Sequence, residues 1–285
     1  LMLAFVLAWF ASGRVLSPLQ WLSDATQLIS ESDLNRRLTV QGKGQIPELA
    51  QSFNEMMDRL QSAFVSQRNF INDAGHELRT PITIIRGHLE LMGDDPDEQA
   101  ETLTIVMDEL DRMTRFVEDL ILLAKSERPD FLHLESVDLT TFVAELLTKA
   151  RGLAERNWEL EGSVEGIAML DRQRITQAIM NLAENATQYT QVGDTIAIGA
   201  AARRGMLHLW VRDTGEGIAP QDQERIFNRF ARAANSRRRS EGAGLGLSIV
   251  KAIAHAHSGE ITVRSQLGQG STFAMKLPIK SPKES

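Results

Sequence analysis

Apolar residues that recur every seven positions along two neighbouring segments constrain the fold of this chain more than any other feature. The first segment carries them at Phe64, Ile71, Leu78, Ile85 and Met92, and the second at Leu103, Leu110, Val117 and Ala124. The sequence GDDPD between the segments is typical of a turn. Two long helices joined by a short turn form an antiparallel hairpin. One hairpin cannot bury apolar stripes this wide, so we expect two chains to form a homodimer through a four-helix bundle.

Helical spacing also marks the residues before the hairpin. Residues 15–29 have it, and after a polar connector at 30–45 it returns at Ile46, Leu49, Phe53, Met56 and Leu60. The first residues, LMLAFVLAWFA, form an uncharged apolar run that precedes Arg14. This run is about half as long as the roughly 20 residues that cross a bilayer, and positive charge typically follows a membrane helix on its cytoplasmic side. We interpret the run as the end of a transmembrane helix, and a buried core helix is the alternative.

Composition and strand patterns describe the rest of the chain. The net charge of −7 argues against a nucleic-acid-binding protein, and the lack of cysteine excludes disulfides and thiolate metal sites. From about residue 136 the pattern changes: WELEG, IAML, TIAIGAAA and MLHLWVRD are typical of strands, 171–190 of a helix, and 260–278 of a β-hairpin. This mixture predicts one α/β sandwich over residues 136–280.

A histidine and a glutamate are neighbours in the first hairpin helix. His76 follows Ile71 by five positions, about 140° around the helix, so we expect its ring to face solvent with Thr80 on the same face. Pro81 lacks the N–H that would bond the carbonyl of Glu77, which predicts a looser helix here. An exposed neutral imidazole is a nucleophile near pH 7, and a neighbouring carboxylate can accept its proton. The alternative is a surface histidine beside a tolerated kink.

Polar and glycine-rich stretches of the C-terminal region are candidates for one nucleotide pocket. Asn181 and Asn185 share a helix face, and amide oxygens can ligate Mg²⁺. Asp213, at the end of a predicted strand, can accept a hydrogen bond from the amine of adenine. The glycines of GAGLGLSIV precede a helix whose free N–H groups suit phosphates, and we interpret the basic segment ANSRRRSE before them as a mobile lid. Each stretch alone also fits a solvated helix face, an ordinary Asp–Gly turn or plain packing.

Taken together, these motifs resemble the sensor histidine kinases of bacterial two-component systems. FINDAGHELRTPI is similar to their phosphoacceptor motif, and NLAENATQYT, DTGEGI, RIFNRF and GAGLGLSIV are similar to the four ATP-binding boxes of the GHKL fold. The resemblance implies a fold of α plus α/β type with four parts: the end of a transmembrane helix at 1–11, a HAMP helical coiled coil at 12–64, a dimerisation and phosphotransfer hairpin at 65–128, and a GHKL α/β sandwich at 136–280.

The resemblance also implies roles for individual residues. His76 would be phosphorylated by ATP with Glu77 as base, and Thr80 would help to remove phosphate from a response regulator. Asn185 would ligate Mg²⁺, Asp213 would bind the adenine amine, and Arg232 is a candidate for a contact with the γ-phosphate. The full set of implied nucleotide contacts is Asn181, Asn185, Gln188, Tyr189, Asp213, Gly215, Gly217, Arg232, Gly242, Gly244, Leu245, Gly246 and Leu247.

One residue departs from the family pattern. Many relatives carry a lysine three residues after the metal-binding asparagine, and here that position is Gln188. A phosphate-facing cation is therefore missing, and Arg232 or the basic lid could compensate for it.

The resemblance implies three partners besides ATP and Mg²⁺. They are a second copy of the chain, a cognate response regulator, and the inner membrane through the N-terminal helix, with residues from about 12 onward in the cytoplasm. Two other functions stay open on the sequence alone. One is a GHKL ATPase that clamps or dimerises on ATP, and the other is a non-catalytic dimeric scaffold for a regulator.

Overall fold

The computed structural model describes residues 45–231 and 244–279, together with Met2, Asn35, Arg37 and Leu38. The chain divides into two compact units, Leu1–His76 and Glu77–Ser285. Several predictions lie outside the described residues: the transmembrane end apart from Met2, most of the polar connector, and the lid with Arg232 and Gly242.

In the first unit, part of the polar connector is fixed along the long helix α1, Gln45–Leu91. The Leu38 N–H donates to Asn54 Oδ1 at 2.8 Å, and Asn54 Nδ2 donates to the Leu38 carbonyl at 2.9 Å. Arg37 forms an ion pair with Asp58 at 2.6 Å. The side-chain amide of Asn54 thus satisfies both main-chain polar groups of Leu38, as a neighbouring strand would.

One proline lies inside α1 without ending it. The helix continues through the buried Pro81 over its full 47 residues. The missing N–H of proline removes one hydrogen bond. The many bonds on either side keep the helix continuous, so the predicted loosening does not appear as a break.

The helix α2, Pro96–Lys125, is the second helix of the predicted hairpin. Its start follows the sequence: Asp95 accepts a hydrogen bond from the Asp97 N–H at 3.0 Å, and Pro96 occupies the first turn. Apolar seam side chains of the hairpin are exposed in the single chain at Ile71, Met92, Leu103, Leu110 and Val117. An exposed apolar stripe of this length is what a surface covered by a second chain leaves in one copy.

The C-terminal region is a mixed β-sheet covered by helices. Its strand order is β2 (Asn157–Glu161), β4 (Thr195–Arg203), β5 (Met206–Asp213), β7 (Gly270–Pro278) and β6 (Glu260–Gln266). The pair β2–β4 is parallel, and the other neighbours are antiparallel. A separate antiparallel pair is formed by β1 (Glu135–Asp138) and β3 (Ile167–Leu170). These strands confirm the segments predicted to be strands, and β1 adds one that was not predicted.

The helices that pack against this sheet are α3 (Leu139–Ala150), α4 (Arg172–Gln188) and α5 (Gly246–Ala256). Their apolar faces are fully buried, with Ile179 and Ile253 both at 0% exposure. Alternate residues of β5 are buried beneath them, as a period of two requires. The predicted α/β sandwich is therefore confirmed, although α3 was not among the predicted elements.

A buried aspartate fixes the first turn of α4 to the end of α5. Asp171 Oδ1 caps α4 by accepting from the Arg174 N–H at 2.9 Å, and Oδ2 accepts from the His133 N–H at 2.9 Å. The Asp171 N–H donates to His257 Nε2 at 3.1 Å. Because Nε2 accepts, the proton lies on Nδ1, which is 2.8 Å from the Ile253 carbonyl. His257 thus has a structural role.

Candidate functional site

The predicted phosphoacceptor segment lies on α1. His76 and Thr80 are exposed, one helical turn apart, and Glu77 is half-buried. His76 is about 140° around the helix from Ile71, so its ring would stay exposed if a second chain covered the apolar seam. Its ring is therefore accessible to a bulky partner.

The asparagines of α4 meet the glycine-rich stretch at the start of α5. Asn181 and Asn185 are half-buried on the edge of the apolar face of α4. Asn181 Nδ2 donates to the Gly246 carbonyl at 3.4 Å. This bond uses the amide nitrogen of Asn181, which leaves its Oδ1 as an acceptor. The structure thus brings together two of the four predicted nucleotide-binding stretches.

Asp213 ends β5 and is buried, with 5% of its surface exposed. Burial raises the pKa of its carboxyl, and hydrogen bonds from the Gly215 and Ser271 N–H groups partly oppose this. Both bonds end on Oδ1, at 2.9 Å from Gly215 N and 3.2 Å from Ser271 N. The other oxygen, Oδ2, can accept from a ligand, as the predicted contact with an adenine amine requires.

The loop after Asp213 approaches main chain closely on two sides. A Cβ at Gly215 would lie 2.1 Å from the Tyr189 carbonyl oxygen, at the end of α4. Gly217 has φ +72°, and a Cβ there would lie 2.1 Å from the Gln266 carbonyl oxygen at the end of β6. Only glycine allows both approaches. The loop is therefore held between α4 and the β6–β7 hairpin, with Tyr189 half-buried beside it.

The start of α5 is suited to an anion. Leu245 precedes the helix and makes no side-chain cap, so the first N–H groups have no capping side-chain acceptor there. Gly246 and Leu247 are half-buried, while Leu245 is buried. Gly244 has φ +71°, and its carbonyl accepts from the Phe230 N–H at 3.1 Å. Free N–H groups at a helix N-terminus bind phosphate readily. Gly242 and Arg232 lie outside the described residues.

The two phenylalanines of RIFNRF have different surroundings. Phe227 contacts Phe273 edge-on with ring centroids 6.2 Å apart, which is ordinary core packing. The ring of Phe230, at φ +60°, lies 6.4 Å from that of Phe116 on α2. Nearby, Arg229 and Glu127 are 3.8 Å apart. Sequence reasoning missed Phe116. The signal that could have revealed it is its aromatic side chain directly before the heptad position Val117.

A second feature that the sequence did not reveal is a pair of carboxylates between α2 and α4. Burial, with the charges of Glu184 and Glu118, raises the pKa of Asp119 to about 6. Burial also raises the pKa of Glu184, while the charge of Arg115 lowers it. Glu184 is adjacent to Asn185 in sequence, so this pair lies beside the proposed nucleotide pocket.

Gln188, at the position where many relatives carry a lysine, is exposed at the end of α4. Among the residues that the structure describes, no group of three or more His, Cys, Asp or Glu side chains could hold a metal ion. Within the same residues, no helix combines the length and apolar character needed to cross a membrane.

Family matches cover most of the chain. Residues 66–129 match the His Kinase A (phospho-acceptor) domain, 170–281 the histidine kinase-, DNA gyrase B- and HSP90-like ATPase family, and 10–62 the HAMP domain. The sensor protein CutS of Streptomyces coelicolor is 32% identical to the chain, in an alignment that covers 97% of the chain and 69% of CutS.

Solved structures agree with these matches. The histidine kinase AdeS of Acinetobacter baumannii has a TM-score of 0.57 at 29% identity, over 72% of this chain and 98% of that one. The histidine kinase ThkA, solved in complex with the response regulator protein TrrA, has a TM-score of 0.62 at 25% identity, over 84% of this chain and 68% of that one.

The fold and the matched domains define an ATP-binding protein kinase that phosphorylates histidine. The chain belongs to the sensor histidine kinases of two-component systems.

Proposed function

We propose that this chain transfers the γ-phosphoryl group of ATP to a ring nitrogen of His76, and from there to an aspartate of a response regulator. The observation that carries the proposal is the exposed imidazole of His76 beside Glu77, within the segment that matches the phospho-acceptor family. An exposed neutral imidazole offers its lone pair to an electrophilic phosphorus.

The first step forms a P–N bond and breaks the bond between the γ-phosphorus and the bridging oxygen of ADP. ADP leaves with the electron pair of that bond. Glu77 accepts the proton of the imidazole ring, so the phosphorylated ring stays neutral. Phosphoryl transfer depends mainly on positioning and on neutralising charge, which are the tasks of the nucleotide pocket.

The pocket would orient ATP through groups of three elements. Asp213 Oδ2 would accept from the adenine amine, and Tyr189 would lie against the nucleotide. The N–H groups around Gly246 would bind phosphate oxygens, because they have no side-chain cap. Gly215 and Gly217 would keep the loop in place by their close main-chain contacts.

Magnesium fits the donor set of this pocket. Amide and phosphate oxygens are ligands that Mg²⁺ accepts, and Asn185 would supply one of them. The amide nitrogen of Asn181 donates to the Gly246 carbonyl, so its oxygen is the atom that would face Mg²⁺ and the phosphates. When bound, Mg²⁺ supplies charge neutralisation for the phosphates.

The second step would transfer the phosphoryl group to a regulator. A carboxylate oxygen of the regulator's aspartate attacks phosphorus, the P–N bond breaks, and the imidazole regains its proton. The solved complex of ThkA with TrrA supports a partner of this kind. Thr80, exposed one turn from His76, would position water to remove phosphate from the regulator.

We test the site with γ-labelled ATP and two matched variants. The wild-type protein should acquire acid-labile label, whereas His76→Gln should acquire none. His88→Gln is the control, because His88 is half-buried on the same helix and should leave labelling unchanged. Label that persists on His76→Gln would contradict the proposal. ATP hydrolysis without any label on the wild type would favour a clamp ATPase.

The N-terminal part would carry a signal from the inner membrane to the kinase. The HAMP match and the apolar run at its start support a membrane anchor. A signal would reach the hairpin as a switch of the helices between two discrete packing arrangements. The chain has no cysteine, so Leu60→Cys cross-links specifically within a homodimer. A cross-link that leaves kinase and phosphatase rates unchanged would contradict this relay.

A further inference from the structure

An arginine from outside α4 binds the main chain at its C-terminal end. Arg156 lies between α3 and β2. Its Nε donates to Thr190 Oγ1 at 3.0 Å, and its Nη2 donates to the Thr190 carbonyl at 3.0 Å and the Thr187 carbonyl at 3.3 Å. Its Nη1 donates to the Glu155 carbonyl at 2.8 Å. One guanidinium thus holds the segment 187–190 at three acceptor atoms.

This position needs a cation for a physical reason. The last carbonyls of a helix have no intrahelical partner and carry partial negative charge. The last turn of α4, Asn-Ala-Thr-Gln, has no basic residue of its own. Arg156 supplies the charge, and its planar fork matches several carbonyl oxygens at once. The interaction is partly shielded from water, since Arg156 is half-buried and Thr190 is 7% exposed. The Thr190 hydroxyl also donates to the Ala186 carbonyl at 2.8 Å.

The segment that Arg156 holds is one wall of the nucleotide pocket. It contains Tyr189, whose carbonyl accepts from the Glu216 N–H at 3.4 Å. The same carbonyl is the atom that Gly215 approaches closely. A displacement of Tyr189 would therefore move the loop that leaves Asp213.

We propose that Arg156 is a positioning residue for nucleotide binding. It orders residues 187–190 and thereby places Tyr189 and the loop after Asp213 for the adenine side of ATP. The inference rests on the proposed function, because it assumes that this pocket binds ATP. It gives a role to a residue outside the motifs that carry the resemblance to the family.

Calorimetric titration with ADP measures this role directly. ADP contains the adenine group that this part of the pocket would bind, and it has no γ-phosphoryl group to transfer. Arg156→Gln should bind ADP about tenfold more weakly, and Arg156→Lys should recover part of the loss. The KM for ATP should rise by the same factor, with kcat nearly unchanged. Arg151→Gln is the matched control, because Arg151 is exposed in the same connection. It should bind ADP like the wild type.

Two results separate a failed inference from a failed pocket assignment. If the wild type binds ADP and Asp213→Asn does not, the pocket is correct. Wild-type affinity in Arg156→Gln, with only a lower melting temperature, would then overturn the positioning role alone. If Asp213→Asn binds as tightly as the wild type, the pocket assignment itself is wrong.

A second variant covers the case in which Arg156→Gln does not fold. Thr190→Val keeps the volume of the side chain and removes the acceptor of Arg156 Nε. It should weaken ADP binding about threefold and speed hydrogen exchange at Tyr189. Unchanged affinity and exchange in Thr190→Val would equally overturn the role of Arg156.

Discussion

Replacement of Asp119 by asparagine should remove a pH dependence from the stability of this protein. Asp119 is half-buried on α2, where burial is the largest cause that raises its pKa from 3.8 to about 6. The charges of Glu184 on α4 and Glu118 on α2 raise it further. Arg115 lowers the pKa of Glu184, which favours the charged form of Glu184 that repels a charged Asp119. The substituted side chain would keep the shape of aspartate and lose its charge.

The sign follows from the order of the two pKa values. The unfolded chain releases the Asp119 proton near pH 4, and the folded chain keeps it until about pH 6. The protonated carboxyl therefore stabilises the fold fully below pH 4, and this contribution is lost as the pH rises through about 6. The full pKa difference corresponds to about 3 kcal/mol, and screening at this partly exposed group reduces it to about 1 kcal/mol.

Urea unfolding at pH 3 and pH 8, which lie outside the two pKa values, measures this difference. The wild type should lose about 1 kcal/mol of unfolding free energy over the interval from Asp119, and Asp119→Asn should lack that loss. Asp108→Asn is the control, because Asp108 is exposed on the same helix and should keep the wild-type profile. The reasoning is refuted if Asp119→Asn retains the wild-type pH profile, or if the carboxyl carbon of Asp119 titrates near pH 4 in NMR spectra.

Three further substitutions test the pocket and the sheet. Gly215→Ala places a Cβ 2.1 Å from the Tyr189 carbonyl oxygen, and urea unfolding should show a loss of about 1–3 kcal/mol with weaker ADP binding. Gln188→Lys restores a cation, and steady-state labelling should give an ATP KM lower by about three- to tenfold. Arg212 lowers the pKa of Glu161, so the stability that this pair provides is lost as the pH falls through that lowered value. In a plot of the urea midpoint against pH, Glu161→Gln should show a smaller fall at acid pH than the wild type.

Local periodicity predicted the parts of the fold that depend on local pattern. The seven-residue spacing located α1 and α2, and apolar stretches typical of strands located β4 and β5. The unpredicted helix α3 carried an equally clear signal. Its buried residues Leu139, Phe142, Val143, Leu146 and Leu147 follow helical spacing after the cap Asp138. This helix was missed although its sequence specifies it.

Contacts between distant segments are a different matter. Arg156 lies 34 residues before Thr190, and nothing in its neighbourhood marks it as the partner of a helix end. The effect of the Glu184 charge on Asp119 likewise depends on how α2 packs against the C-terminal region, where it contacts α5. Local sequence fixes which face a residue occupies, but tertiary packing decides which other residue it meets. The chemistry of Asn181, Asp213 and Gly246 suggested one nucleotide pocket, and the family resemblance supplied the tertiary information that local sequence lacks.

In the proposed nucleotide pocket, main-chain contacts fix the position of the loop after Asp213, and this would let the pocket function with Gln188. The loop at Gly215 and Gly217 meets two carbonyl oxygens at distances that exclude any Cβ, whatever side chain stands at position 188. The first turn of α5 supplies positive potential through its uncapped N–H groups. A missing lysine then removes one charge from several, whereas one added methyl at Gly215 displaces the loop itself. The effect of Gly215→Ala on nucleotide affinity should therefore exceed that of Gln188→Lys, and the opposite order would show that side-chain charge governs the site.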